Sequence, residues 1–243
     1  MKPFAARYIA HRGLFDNAQA YPENTLPAFA RAVEAGYGIE LDVRLTKDGR
    51  LVVAHDKTLA RIAGTDAAVR DLTQAELAAY PILASGETIP AFADVLALIA
   101  GRVPLIVELK PESDVIETCE RTAEALADYP GPYCVESFDP RVLWWYRRHR
   151  PGVLRGQLSQ DFTDDPATAS RLADKLLTAM VGNLVTWPDF VAYRHTDANR
   201  FAVRFWQAVL GSTLVGWTIK SAAELADARR RFAVIIFDGF IPV

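Results

Sequence analysis

Residues 38–56 read GIELDVRLTKDGRLVVAHD, and this stretch decides the fold. In a strand, side chains at i and i+2 share a side, so Glu40 and Asp42 project together while Leu41 turns away into apolar packing. Lys47-Asp48-Gly49 reads as a tight turn, with LVVAHD as the return strand. If the two strands are taken as one hairpin-like unit, the chain contains about eight strand–helix units, the number of a TIM (β/α)8 barrel.

The rest of the chain supports that count. Further strands are expected at ARYIAH, VPLIVELK, YCVESF, VLRGQLS, AMVGNL, LVGWTI and AVIIFD. Helical patterns cover 26–35, 92–100, 115–127, 140–148, 166–177, 198–209 and 222–231. Such alternation implies parallel strands joined by helical crossovers, in an α/β fold. The rhythm breaks between His55 and Pro90, where a polar, turn-rich stretch reads as an insertion on one end of the barrel. Within it, DLTQAEL predicts a helix capped by Thr73, with Glu76 three residues on.

Composition narrows the function classes. The net charge of −3 argues against a broad nucleic-acid surface, so no nucleic-acid partner is expected. No apolar run approaches the roughly 18 residues of a membrane span, and the N-terminus shows no secretory h-region. A cytoplasmic protein is the default expectation. Cys119 and Cys134 form no CxxC pair and read as two core thiols. The sequence carries no signal for an oligomeric state.

Ionisable residues recur where the apolar strands end. The first strand ends in His11-Arg12, the second carries Glu40 and Asp42, the return strand ends in His55-Asp56, and the next ends in Glu108-Leu109-Lys110. In a parallel barrel these ends share one face, where active sites sit. Three carboxylates brought together cannot all stay ionised without a cation among them. Hard oxygen ligands favour Ca²⁺ or Mg²⁺ over zinc. His11 and His55 can exchange protons near neutral pH, and Arg12 and Lys110 can bind phosphate oxygens. A divalent metal, two cations and an acid–base pair describe phosphoryl chemistry. The plainer alternative is an ion-pair network of Glu40, Asp42 and Glu108 with Arg12, Arg44 and Lys110. Lys110 in particular has two readings, phosphate contact or pairing with Glu108.

These residues, with HRG, PENT, ELDVRLTKDGRLVVAHDKTLAR, DLTQAEL, IPAFADVLAL, VELK, SFD and GWTI, resemble the glycerophosphodiester phosphodiesterases. The resemblance covers nearly the whole chain. It implies a single TIM-barrel domain over 1–243 with a small inserted subdomain at about 57–90. It implies one divalent metal ion held by Glu40, Asp42 and Glu108, with His11 and His55 as general base and acid. Arg12 and Lys110 would bind the phosphate, and Glu23 and Asn24 would shape the first loop. The implied reaction takes a small-molecule glycerophosphodiester to glycerol 3-phosphate and an alcohol. The chain departs from the family pattern at Phe237, where a threonine is usual, and at Trp217-Thr218-Ile219-Lys220, where relatives often show Trp-Thr-Val-Asn.

Other positions have local readings. Trp217, at a strand exit, is either a van der Waals wall for glycerol or core packing. Asp56 is expected to orient nearby backbone, and Asp139 to cap the helix opening at Pro140. His149 and His195 are expected in solvent. A lysophospholipase D or sphingomyelinase-D-like enzyme is the alternative activity, and it requires an apolar mouth; Phe190, Val191, Phe201 and Phe205 read either as that mouth or as core. A catalytically inert binding barrel would usually have lost one of the site residues, and all are present.

Overall fold

The computed structural model describes residues 7–163 and 168–242. Two compact units divide the chain, Met1–Tyr133 and Cys134–Val243.

The first unit carries β1 (Tyr8–His11), β2 (Gly38–Leu45), β3 (Leu51–Val53) and β4 (Leu105–Leu109). β2 is the organising strand. It runs parallel to β1, with His11 opposite Glu40, and parallel to β4, with Asp42 opposite Glu108. These two registers bring distant residues side by side. β3 returns antiparallel along the end of β2 through a turn in which Gly49 takes φ +69°. Ile9, Ile39, Leu41, Val43 and Val107 are fully buried, and each such aliphatic side chain contributes about 1.5–3 kcal/mol by leaving water. Helix Leu26–Glu34 starts after Thr25 with proline in its first turn and buries Ala28, Phe29 and Ala32. Helix Phe92–Ile99 buries Phe92, Val95, Leu96 and Ile99.

Short helices at Ala60–Ala63 and Gln74–Leu77 fill the stretch between β3 and Phe92. They close around a small core that includes Leu59, Ile62, Val69, Leu77 and Ile82. Thr73 and Glu76 form a reciprocal capping box, as the sequence predicts.

The second unit takes up all but the first residue of β5 (Tyr133–Ser137) and carries β6 (Arg155–Ser159), β7 (Phe190–Arg194), β8 (Thr213–Ile219) and β9 (Val234–Phe237). Neighbours in this series pair in parallel. Gly156 of β6 lies opposite Phe190 of β7, and a Cβ at Gly156 would sit 2.0 Å from the Phe190 ring. The missing side chain is what lets that ring pack between the strands.

β7 corrects one expectation. AMVGNL is not a strand: Met180 adopts φ +51°, and Asn183–Thr186 is a short helix. The strand is FVAYR, where Phe190, Val191, Ala192 and Tyr193 are wholly buried. The expected helix over 166–177 is observed as Arg171–Thr178, capped by Ser170; the first two expected positions lie outside the described residues. Helix Ala222–Arg231 falls where the periodicity places it. Neither cysteine is in a disulfide, and both are buried. Eight parallel strands alternating with helices make the fold a TIM (β/α)8 barrel. No described helix is long and apolar enough to cross a membrane.

Candidate metal and acid–base site

The first unit gathers the charged strand ends. Directly after β1 the backbone enters the left-handed region, at φ +56° for Arg12 and +83° for Gly13. A side chain at Gly13 would also meet the backbone of Ala28 at 2.9 Å, so the third letter of HRG is set by sterics. This bend points the Arg12 amide at β2, where it donates to the Glu40 carbonyl at 2.9 Å and to Glu40 Oε2 at 3.2 Å. His11 Nε2 lies 3.8 Å from Glu40 Oε2.

Glu40, Asp42 and Glu108 are buried, and each offers a carboxylate oxygen within 4.8 Å of the others'. Lys110 Nζ lies 2.7 Å from Glu108 Oε1 and 3.3 Å from Asp42 Oδ1. Burial alone would raise Asp42, but Lys110, His55 and Arg12 outweigh it and hold this carboxyl well below its usual range. Glu108 moves the other way, pushed up by burial and by the charge on Asp42 against the pull of Lys110. Two neighbouring acids are thus pushed in opposite directions, as burial and mutual repulsion do to carboxylates that share a site.

Asn24 adds a fourth oxygen. Its backbone sits at φ +57°, and its Nδ2 donates to Asp42 Oδ2 at 2.8 Å. Among the described residues the buried Asn24 Oδ1 has no hydrogen-bond partner, and Asp42 Oδ1 has only the ionic contact with Lys110. A buried amide oxygen without a donor, beside three carboxylates, is the surrounding a hard divalent cation satisfies. The acidic cluster can hold such an ion.

Next to it stands an ionic chain. His55 Nδ1 lies 2.7 Å from Asp56 Oδ1. Asp56 in turn accepts from Arg61 Nε at 2.6 Å. The Arg61 fork donates to both oxygens of Glu23 at 2.7 Å, and Glu23 also accepts from Arg12 Nη1 at 2.6 Å. Burial works to raise Glu23, but Arg61, Arg12 and Asn17 bring its pKa down to about 2. His55 is lowered to about 4, first by burial and then by the nearby charges of Lys110 and Arg12, with Asp42 and Asp56 offsetting part. Asp56, held ionised by His55 and Arg61 against its burial, can only accept, so the neutral His55 donates from Nδ1 and presents Nε2 as an acceptor.

Arg44 ties two strand exits together. It points to the same side of β2 as Glu40 and Asp42 and donates to the His55 carbonyl from Nε and Nη2, at 3.1 and 2.8 Å, and to the Lys110 carbonyl at 3.4 Å.

Seven of the sequence-predicted residues are thus brought together: His11, Arg12, Glu40, Asp42, His55, Glu108 and Lys110. Trp217 is in the second unit, half-buried on β8, where its ring meets Phe138 edge-on at 5.7 Å. Asp56 differs from its expected part, because its carboxylate accepts from the His55 ring and from Arg61 rather than from backbone. Arg61 closes the quoted motif HDKTLAR, yet no role is read for it, since its partners are 5 and 38 positions away. Arg44 did carry one, its parity with Glu40 and Asp42.

A family model described as the glycerophosphoryl diester phosphodiesterase family matches residues 11–188. The chain belongs to this family. The match takes in every residue of the site just described. Among curated relatives, a glycerophosphodiester phosphodiesterase of Caldanaerobacter subterraneus subsp. tengcongensis is 41% identical over 145 residues, 56% of this chain and 55% of that one. One from Bacillus altitudinis is 39% identical over 174 residues, 66% of this chain and 69% of that one. The chain thus spans only about half of the first relative's length. Among solved structures, an Oleispira antarctica phosphodiesterase in complex with the product sn-glycerol-3-phosphate superposes with a TM-score of 0.79. That likeness covers 97% of this chain and 94% of the other at 22% identity, and shows the fold.

Proposed function

We propose that this protein hydrolyses glycerophosphodiesters to glycerol 3-phosphate and an alcohol, with His11 and His55 exchanging protons beside a divalent cation. The observation that carries the reading is the register of β2, which sets His11 opposite Glu40 and Asp42 opposite Glu108. One strand thereby gathers an imidazole and three acids at the barrel end where TIM-barrel chemistry sits. The names of the relatives, and the product held by the Oleispira antarctica enzyme, support the same reaction class.

Glu40, Asp42 and Glu108 would hold the ion, with Ca²⁺ or Mg²⁺ matching the all-oxygen donor set. When bound, such an ion polarises a phosphoryl oxygen and offsets the charge that develops there. Arg12 and Lys110 supply cationic donors for phosphate oxygens, and Arg12 is held in place by Glu23 and by Asp42. The His55 ring is neutral at physiological pH, fixed through Nδ1 by Asp56, and free at Nε2 to take or return a proton. Asp56 and Arg61 act through His55 as positioning residues.

The lyso-lipid alternative has less support. Two of its four proposed mouth residues, Phe190 and Val191, are core, whereas Phe201 and Phe205 are exposed. Incubation of the purified protein and Ca²⁺ or Mg²⁺ with glycerophosphocholine, and separately with lysophosphatidylcholine, tests both. Release of glycerol 3-phosphate from the first substrate is expected. Turnover of the lyso-lipid alone would transfer the assignment to the alternative, and turnover of neither in either metal would end both.

A further inference from the structure

The solvent-facing sides of successive helices in the second unit are apolar, where an outward helix face is ordinarily polar. On Arg171–Thr178 the outward positions are Arg171, Leu172, Lys175 and Leu176, and Leu172 is 68% exposed. The chain continues through Val181 into the short helix Asn183–Thr186, where Leu184 is 66% exposed, and then to the exposed Trp187. On Phe201–Leu210 the outward positions include Phe201, Arg204, Phe205 and Val209. Phe201, 75% exposed, stacks on Phe205 with ring centroids 5.9 Å apart. The helices adjoin, because the indole of Trp206 donates to the Ala179 carbonyl at 2.8 Å. Their inward faces are already packed, with Asp174 and Thr178 buried on one and Val203 and Trp206 on the other. The outward residues Leu172, Leu176, Val181, Leu184, Phe201 and Phe205 stay exposed.

We infer that this face, from Arg171 to Val209, is a docking surface for an anionic lipid bilayer. The charge pattern selects that occupant. Arg171 and Lys175 alternate with Leu172 and Leu176, and Arg204 lies between Phe201 and Phe205. The acid on these helices, Asp174, is turned inward at 3% exposure, so the outward face is cationic as well as apolar. Long basic side chains lay their stems along apolar surface and carry their charges up to lipid phosphates, and Trp and Phe favour the same interfacial depth. A second copy of this chain fits less well. A two-fold contact through the face would set the same basic patch against itself, with no outward acid among the described residues of these helices to pair Arg171 and Lys175.

The test uses the full chain and sedimentation with vesicles, and needs no substrate. Wild type is expected to partition onto phosphatidylcholine vesicles that contain phosphatidylglycerol, to ignore pure phosphatidylcholine, and to be released by high salt. The pair Arg171→Gln and Lys175→Gln should weaken partitioning about thirtyfold, the effect of two basic charges at an anionic surface. The pair Leu172→Ser and Phe201→Ser leaves every charge in place and should weaken it at least about tenfold. Circular dichroism checks that each variant folds, and the single change Lys175→Glu at an exposed position replaces any pair that does not. Failure of wild type to bind anionic vesicles at low salt overturns the inference, as does binding unaffected by both pairs. A dimer on gel filtration that Leu172→Ser and Phe201→Ser dissociate would give the face to a second copy instead.

Discussion

Glu23→Gln removes the one negative charge shared by Arg12 and Arg61 while keeping the side chain's shape. Glu23 is 5% exposed and accepts from Arg12 at 2.6 Å, from Arg61 twice at 2.7 Å and from Asn17 at 3.0 Å. Its pKa of about 2, against an ordinary 4.5, corresponds to roughly 3 kcal/mol of preference for the ionised form in the folded state. Arg61 is half-exposed, so water screens part of this, and a loss of about 2–3 kcal/mol is expected for the variant. The folded-state pKa lies below the unfolded one, so the contribution is complete above about pH 4.5 and fades as pH falls toward 2. Urea unfolding of wild type and variant at several pH values reads this directly. The gap between them should be widest at pH 7 and should shrink by more than half by about pH 3, where much of the wild-type advantage has been titrated away. A gap under about 0.5 kcal/mol at pH 7, or one that does not change on acidification, would refute the claim that these arginines hold Glu23 ionised.

Four further outcomes follow from the same geometry. His11→Ala and His55→Ala should each lower kcat by about 10²–10⁴-fold, and a near-normal rate in either would remove that residue from the chemistry. Chelation with EDTA should abolish turnover and Ca²⁺ or Mg²⁺ should restore it; full activity in chelator would show that the carboxylates hold no exchangeable ion. Asp56→Asn should lower kcat by about 10²–10⁴-fold with little change in the urea midpoint, because an amide no longer fixes the His55 tautomer; an unchanged kcat would make Asp56 merely structural. Gly156→Ala should cost about 2–3 kcal/mol by forcing the Phe190 ring aside, and a wild-type melting temperature would mean that the strands do not pack as described.

Much of the first unit was legible before any coordinates, because its signals are local. Alternation placed Glu40 and Asp42 on one side of a strand, the KDG turn announced the antiparallel return, and Thr73 with Glu76 announced a cap. The meeting of Asp42 with Glu108 was an inference from barrel geometry, and the parallel register of β2 with β4 is what places them side by side. The role of Arg61 was unreadable for the opposite reason, although the residue closes the motif HDKTLAR. It stands on a four-residue helix, and only the folding of that segment onto the first loop brings it to Glu23. β7 escaped because FVAYR is buried from Phe190 to Tyr193 and so has no polar–apolar alternation, while AMVGNL imitates a strand in composition but turns at Met180.

The Arg61–Glu23 contact sets a limit on engineering. Loops are the usual cassettes for exchanging specificity between relatives, and residues 57–90 look like one. Yet this cassette brings the countercharge for an acid that belongs to the other side of the exchange. A chimera that imports a shorter segment without an arginine at this point would leave Glu23 only Arg12 and Asn17 as partners and would free Asp56 from its tie to the first loop. The two histidines of such a hybrid would be intact in sequence while their surroundings were not, so its inactivity would say nothing about the chemistry it was built to probe.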